Sequence, residues 1–287
     1  VRSGLPIFLG AVFGIDTLQV TRASIATVAG GAVCGVLADR LATINGNWST
    51  DSYDSRLGAY GAGNQGSQSG VCSNGDITAQ GNASIYGALH DGVDPGDTVS
   101  VSGSVTLTGG ASDLPEEIPM PSADSAYVRT HNNNASIPLT SRGRVAVSGT
   151  SLSLNATDIL TLSAGTYYFT AFSINGGAEL RTTGVVNIYI AGDVHINGHG
   201  IVNRDVAPAN LTLYVDGAHS VQLNGTSDFY GSVIAPRCEA HINGNADVYG
   251  MLVADRVELN GNGQMHVDLA MVDRTLGAVA SRAVLVQ

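Results

Sequence analysis

The sequence predicts a mostly β fold: a right-handed parallel β-solenoid preceded by an N-terminal apolar helical segment. Three observations carry this expectation. The 287 residues include 37 Gly, with 44% hydrophobic and only 13% charged residues, a balance too apolar for disorder and too glycine-rich for a helical bundle. Short runs alternate with period 2, as in Val185, Asn187 and Tyr189 against Val186, Ile188 and Ile190. An Asn-Gly word preceded by Ile or Leu returns at intervals of 17 to 27 residues.

The word occurs at Asn175, Asn197, Asn224, Asn243 and Asn260. Asn and Gly both tolerate the left-handed backbone region, so the pair turns a chain at low steric cost. The five asparagines are therefore expected to mark one corner of successive coils, stacked as a ladder, with the interval as the coil circumference. Tyr230 and Tyr249 ride on the repeat, each six residues after its Asn. An earlier copy, GNASIYGAL at 81–89, aligns without a gap to GNADVYGML at 244–252. A β-sandwich is the main rival, but its strands need not resemble one another.

The N-terminal stretch differs in texture. Residues 5–15 carry no polar side chain, a run of about half a bilayer core at ~1.5 Å per residue. Leu18, Ile25, Ala29, Ala32 and Val36 then follow at helical spacing. Residues 1–45 are read as an anchor or assembly segment, with Leu5, Phe8, Phe13, Ile15, Leu18 and Ile25 as its contact residues; a cap on the solenoid's open end and a donated strand are the alternatives. The solenoid is expected over 46–268, interrupted by a Pro-rich loop at 111–125, and 269–287 form a tail serving as an edge strand or an assembly contact.

Two stretches resemble known families. The run from LSAGTYYF at 162–169 to GQMHVD at 263–268, with DSYDS at 51–55 and GAYG at 58–61 upstream, resembles a bacterial domain of unknown function found on secreted and pilus-associated proteins; the coil words are similar to those of bactofilins. Leu5, Pro6, Phe13, Gly14, Ile15 and Asp16 resemble the N-terminal helix of TadE/TadG-type pilus proteins, although the Glu of that pattern is replaced by Ser3 and Gly4. The resemblance implies self-assembly, contact with other pilus or surface components, and a membrane stage before assembly. It supplies no catalytic residue.

Chemistry is sparse. The net charge of −11 and the absence of Lys make nucleic acid a poor partner. His195 and His199 flank one Asn-Gly, and His241 and His266 fall in neighbouring repeats; neither pair brings a third ligand. Asp228 and Asp247 occupy equivalent places in adjacent words; the repeat itself accounts for them as solvated turn residues, with a stacked glycosidase pair as the alternative. Arg237 and Arg256 are the cations that a lyase reading would need. Cys34, Cys72 and Cys238 have no metal spacing; they are read as buried hydrophobes or, for the first two, as a disulfide. No metal, no cofactor and no catalysis are expected. The reading is a structural subunit of an extracellular filament or pilus-like appendage, with a carbohydrate-binding or carbohydrate-active β-helix and an intracellular bactofilin-like scaffold as alternatives.

Overall fold

The computed structural model describes residues 3–5, 18–20, 33–61, 63–137, 146–148, 150–225 and 227–280. Almost every strand belongs to one parallel ladder wound as a solenoid. Each coil has three faces, and like positions stack in register. One face runs through Ser151–Leu154, Ala171–Ile174, Val194–Gly198 and Ser220–Gly225, then through the second halves of Phe229–Gly244, Val248–Gly261 and Cys34–Gly46, and ends on Asp76–Gly81 and Val99–Gly103.

This order departs from chain order. Val248–Gly261 pairs with Phe229–Gly244 on one side and with Cys34–Gly46 on the other. The N-terminal coils thus continue a stack that the C-terminal coils begin. A strap over 114–137 returns along a second face, the strap face. Ile118 N donates to Asn74 Oδ1 near the top, Ser125 to Asp216 midway, and Asn134 Nδ2 to the Tyr168 carbonyl near the bottom.

Period-2 alternation makes the core. Leu154, Ile174, Ile196, Leu223, Ile242, Leu259, Ile44 and Ala79 form one inward column, each directly above the last and each buried. Full burial of such a side chain contributes about 1.5–3 kcal/mol, and a lone coil could not supply it. Trp48 is a core residue of the coil that follows Gly46, 1% exposed.

The early and late words GNASIYGAL and GNADVYGML take the same place in coils three steps apart, linked through Gly261 and Gly46. Glycine is required at this corner. Gly46, Gly81, Gly103 and Gly261 have φ of 91°, 90°, 84° and 108°. A Cβ on Gly46 would stand 2.5 Å from the Gly261 carbonyl oxygen, and one on Gly81 2.6 Å from that of Gly46.

Several expectations need correction. The N-terminal helix is not what the described residues show: Ser3–Leu5 and Leu18–Val20 are strands, paired antiparallel with Leu5 opposite Leu18. Phe8, Phe13, Ile15 and Ile25 lie outside the described residues. The helical spacing read through Val36 runs into the strand Cys34–Gly46, whose alternation buries Val36 and Leu37 on opposite sides, one in the core and the other under covering chain. The stretch beginning at Leu269 is a helix to Ala280, not an edge strand; Met271, Val272 and Leu276 pack it against the solenoid. Among the described residues no helix is long and apolar enough to cross a membrane. Cys34 and Cys72 form a disulfide between neighbouring coils, while Cys238 is a buried free thiol.

Candidate ligand-binding face

The strap covers one face of the solenoid, and a loop over 54–68 covers part of another. Among the described residues nothing covers the third face. Its outward positions are the partners of the inward column, so the alternation that built the core also sets what solvent meets.

At its edge runs an amide ladder. Asn175 Nδ2 donates to Asn155 Oδ1 at 3.4 Å, Asn197 to Asn175 at 2.9 Å, Asn224 to Asn197 at 3.0 Å, Asn243 to Asn224 at 2.8 Å and Asn260 to Asn243 at 3.0 Å. Asn45 continues to Asn260 at 2.8 Å and Gln80 to Asn45 at 2.5 Å. All seven bonds point the same way, each side chain donating to the coil beneath. All five asparagines singled out in the sequence lie on this ladder. Asn45 and Gln80 extend it across the chain-order break; the word Ile44-Asn45-Gly46 was the signal for the first. A second ladder stands two residues further along: Asn262 to Asn245 at 3.1 Å, Asn47 to Asn262 at 2.6 Å and Asn82 to Asn47 at 3.0 Å.

In the upper coils the two ladders widen into a grid. Thr43, Asn45, Asn47 and Ser49 form one row, Thr78, Gln80, Asn82 and Ser84 the next, and Ser100, Ser102, Ser104 and Thr106 the last. None is charged. The last row is exposed. Rows stand about 4.8 Å apart and neighbours within one strand about 6.6 Å apart, as parallel strands dictate; each row bends at Gly46, Gly81 or Gly103, so that Ser49, Ser84 and Thr106 stand beyond the corner, on the loop face. Glu258, Asn260, Asn262 and Gln264 extend the grid one coil down.

Lower on the same face the columns become charged. His241 Nδ1 lies 2.8 Å from Glu258 Oε2, and His195 Nδ1 3.3 Å from Gln222. Arg256 approaches Glu239 at 3.9 Å, and His199 approaches Glu179 at 3.5 Å. His195 and His199 therefore have separate partners. His241 and His266 are likewise apart, on different faces. Arg237 is occupied by Asp216 on the strap face. Asp228 and Asp247 do neighbour one another, and Asp247 N donates to Asp228 Oδ1 at 3.3 Å. Burial pushes the Asp247 carboxyl above its ordinary range, and Asp228 adds to that shift. No group of three or more His, Cys, Asp or Glu among the described residues could hold a metal ion.

The loop face holds the DSYDS and GAYG words. Asp51 accepts from Tyr60 Oη and Gln65 Nε2, each at 2.6 Å, and lies 2.6 Å from His266 Nδ1. Tyr60 and Tyr249 rings lie 3.9 and 4.5 Å from the His266 ring, and Tyr230 stacks on Tyr249 at 4.2 Å. Burial alone would raise the Asp51 carboxyl; the bonds from His266, Tyr60 and Gln65 outweigh it and hold the group below its ordinary range. Burial and the Asp51 charge push the Tyr60 hydroxyl up. The loop is pinned rather than built around a cavity, a structural use of these words that spacing alone did not reveal.

Residues 172–274 match a family described as a domain of unknown function (DUF7305). No curated protein matches the chain. Among solved structures, the chain is similar to an ice-binding protein from the Antarctic ascomycete Antarctomyces psychrotrophicus, at 16% identity over 82% of this chain and 94% of that one, TM-score 0.43. It is similar to a glycosylated ice-binding protein from an Arctic yeast at 14% identity, 86% and 96% coverage, TM-score 0.42. A third is the DUF3494 domain of Shewanella frigidimarina ice-binding protein 1, at 14% identity, 86% and 95% coverage, TM-score 0.30. The domain of unknown function agrees with the first resemblance drawn from the sequence; the TadE/TadG-like and bactofilin resemblances gain no support. The filament or pilus subunit, the carbohydrate-binding β-helix and the bactofilin-like scaffold are overturned by these matches, which are ice-binding proteins. The sequence misled because a sticky apolar N-terminus and stacked coils read equally well as assembly devices.

Proposed function

We propose that the chain is an exported, non-enzymatic protein whose uncharged grid binds ordered water at the surface of ice. One observation carries this reading: the three aligned rows from Thr43, Thr78 and Ser100 to Ser49, Ser84 and Thr106. A solid ligand cannot adapt to its receptor, so the receptor must be rigid and periodic. Here strand pairing fixes the spacing, and the amides are held by one another before any ligand arrives. Hydroxyls and amides both donate and accept, as a water lattice does. Ionic groups would hold disordered hydration shells, and the three rows have none. The Cys34–Cys72 disulfide supports an oxidising, extracellular setting. The partnered histidines and carboxylates support a role without catalysis.

The test is partition of purified protein into slowly grown ice, with inhibition of ice recrystallisation as the second readout. The wild type is expected to enter ice. Thr78→Glu with Ser100→Glu, which places two charges in the grid, is expected to be excluded, whereas Glu239→Gln in the charged region leaves partition unchanged. A wild type that stays in the liquid phase overturns the reading.

A further inference from the structure

Asn-Gly is also the sequence step at which asparagine most readily loses its side-chain nitrogen, because glycine leaves the following backbone nitrogen unshielded. Six such steps lie on the amide ladder, at Asn45, Asn175, Asn197, Asn224, Asn243 and Asn260. We propose that these asparagines are latent deamidation sites which the ladder holds closed, and that opening one rung exposes the rung beneath it, so that the modification spreads in one direction along the solenoid.

The chemistry needs only water. The backbone nitrogen of Gly244 attacks Cγ of Asn243, and its proton passes to solvent. The Cγ–Nδ2 bond breaks and ammonia leaves with a proton taken from water. One water then adds to either carbonyl of the succinimide, giving aspartate or isoaspartate. Overall, an amide and a water become a carboxylate and an ammonium ion.

The fold opposes the first step in two ways. Asn243 Nδ2 donates to Asn224 at 2.8 Å and its Oδ1 accepts from Asn260 at 3.0 Å, so the side chain cannot swing toward Gly244 without losing both bonds. Gly244 is held at φ 123°, and its carbonyl accepts from Asn262 N at 3.1 Å. The backbone turn that the ring requires is therefore blocked.

Direction follows from the donors. A carboxylate at position 243 has no N–H to give, so Asn224 loses the bond that restrained its carbonyl. Asn260 keeps its acceptor, now a charged and stronger one. The lock is lost toward Asn224 and kept toward Asn260.

The experiment incubates the full chain in mildly alkaline buffer and follows each Asn by peptide mass spectrometry with isoaspartate detection. In the folded wild type the ladder steps should react far more slowly than in the same chain unfolded in urea. Asn243→Asp should raise the rate at Asn224 several-fold and leave Asn260 unchanged. Asn74, which precedes Gly75 off the ladder and is bonded to Asp39 and Ile118, reports global opening. If Asn74 accelerates as well, the ratio of the Asn224 rate to the Asn260 rate is read in its place, since global opening raises both alike. Equal acceleration at Asn224 and Asn260, no acceleration at either, or equal rates in folded and unfolded chain overturn the proposal.

Discussion

At Asn243 two amides depend on one side chain, and replacing it by Leu keeps the volume while leaving the Asn224 carbonyl and the Asn260 amide unpaired. An orphaned polar group costs about 1–3 kcal/mol when buried, and these are half-buried, so a loss of about 1–2 kcal/mol is expected by urea unfolding. Asp255 would be a poor control, being only 8% exposed and bidentate to Arg40 across the chain-order seam. Ser104, open to solvent, is the better one; Ser104→Ala should change stability by less than about 0.5 kcal/mol. Asp51 gives the residue-scale pH dependence. Its folded carboxyl lies below the unfolded value of about 3.9, so its contribution is fully present above that pH and is lost as pH falls through the folded value. Asp51→Asn should therefore flatten the acid limb of stability against pH below about 4. A wild type and variant that lose stability in parallel there would show that the loop pin is energetically idle.

Each strand of the open face was legible in the sequence because it shows solvent on one side only, and Ile-Asn-Gly carries the whole local rule: an apolar residue in, an amide out, a glycine where the next carbonyl leaves no room for Cβ. In the upper coils the strap face was not legible as an inside-outside alternation. Leu37, Cys72, Ser232, Met251 and Val253 point away from the coil interior yet are buried, because distant chain covers them. The helix Leu269–Ala280 was missed for a related reason: it is short and Ala-rich, and its apolar stripe has meaning only against the coils it covers. The hydroxyl grid was missed because its rows lie in the upper coils, where Gln80 and Ser102 replace the Asn that defined the repeat. At this scale the disulfide supplies the test. Cys34 and Cys72 close a loop with a separation of 38 residues between two adjacent coils. Replacing both by Ser should lower stability by about 2–4 kcal/mol without altering the far-ultraviolet spectrum, since the strands pair independently of the bridge. An unchanged unfolding midpoint would mean that the strap and the strand ladder already restrain the unfolded chain as strongly.

The whole molecule is a continuous solenoid traced by a discontinuous chain. Contacts across the seam join residues 215 apart in sequence, as in Arg40–Asp255, Asn45–Asn260 and His266–Asp51. Such separations slow folding, because loop-closure entropy must be lost before the contact forms. Yet the two sides of the seam are already adjacent in space: a Cβ on Gly35 would lie 2.2 Å from the Val267 side chain, so the strand that starts the next coil begins beside the one that ends the last. Joining residue 287 to residue 1 and opening the chain between Glu116 and Glu117, both exposed on the strap, would make chain order follow stack order from 150 to 116 by way of the old termini. Seam contacts would then span about a third of their present separation, while the strap residues that bond Asn74, Asp216 and Tyr168 would all remain. The permuted protein is expected to fold to the same structure with stability within about 1 kcal/mol of the parent, since loop length enters closure entropy only logarithmically. It should refold faster in a denaturant-jump experiment, with unfolding rates little changed. A permutant that fails to fold, or that refolds more slowly, would mean that the N-terminal coils form first and template the stack, and that the break in chain order serves the folding route rather than opposing it.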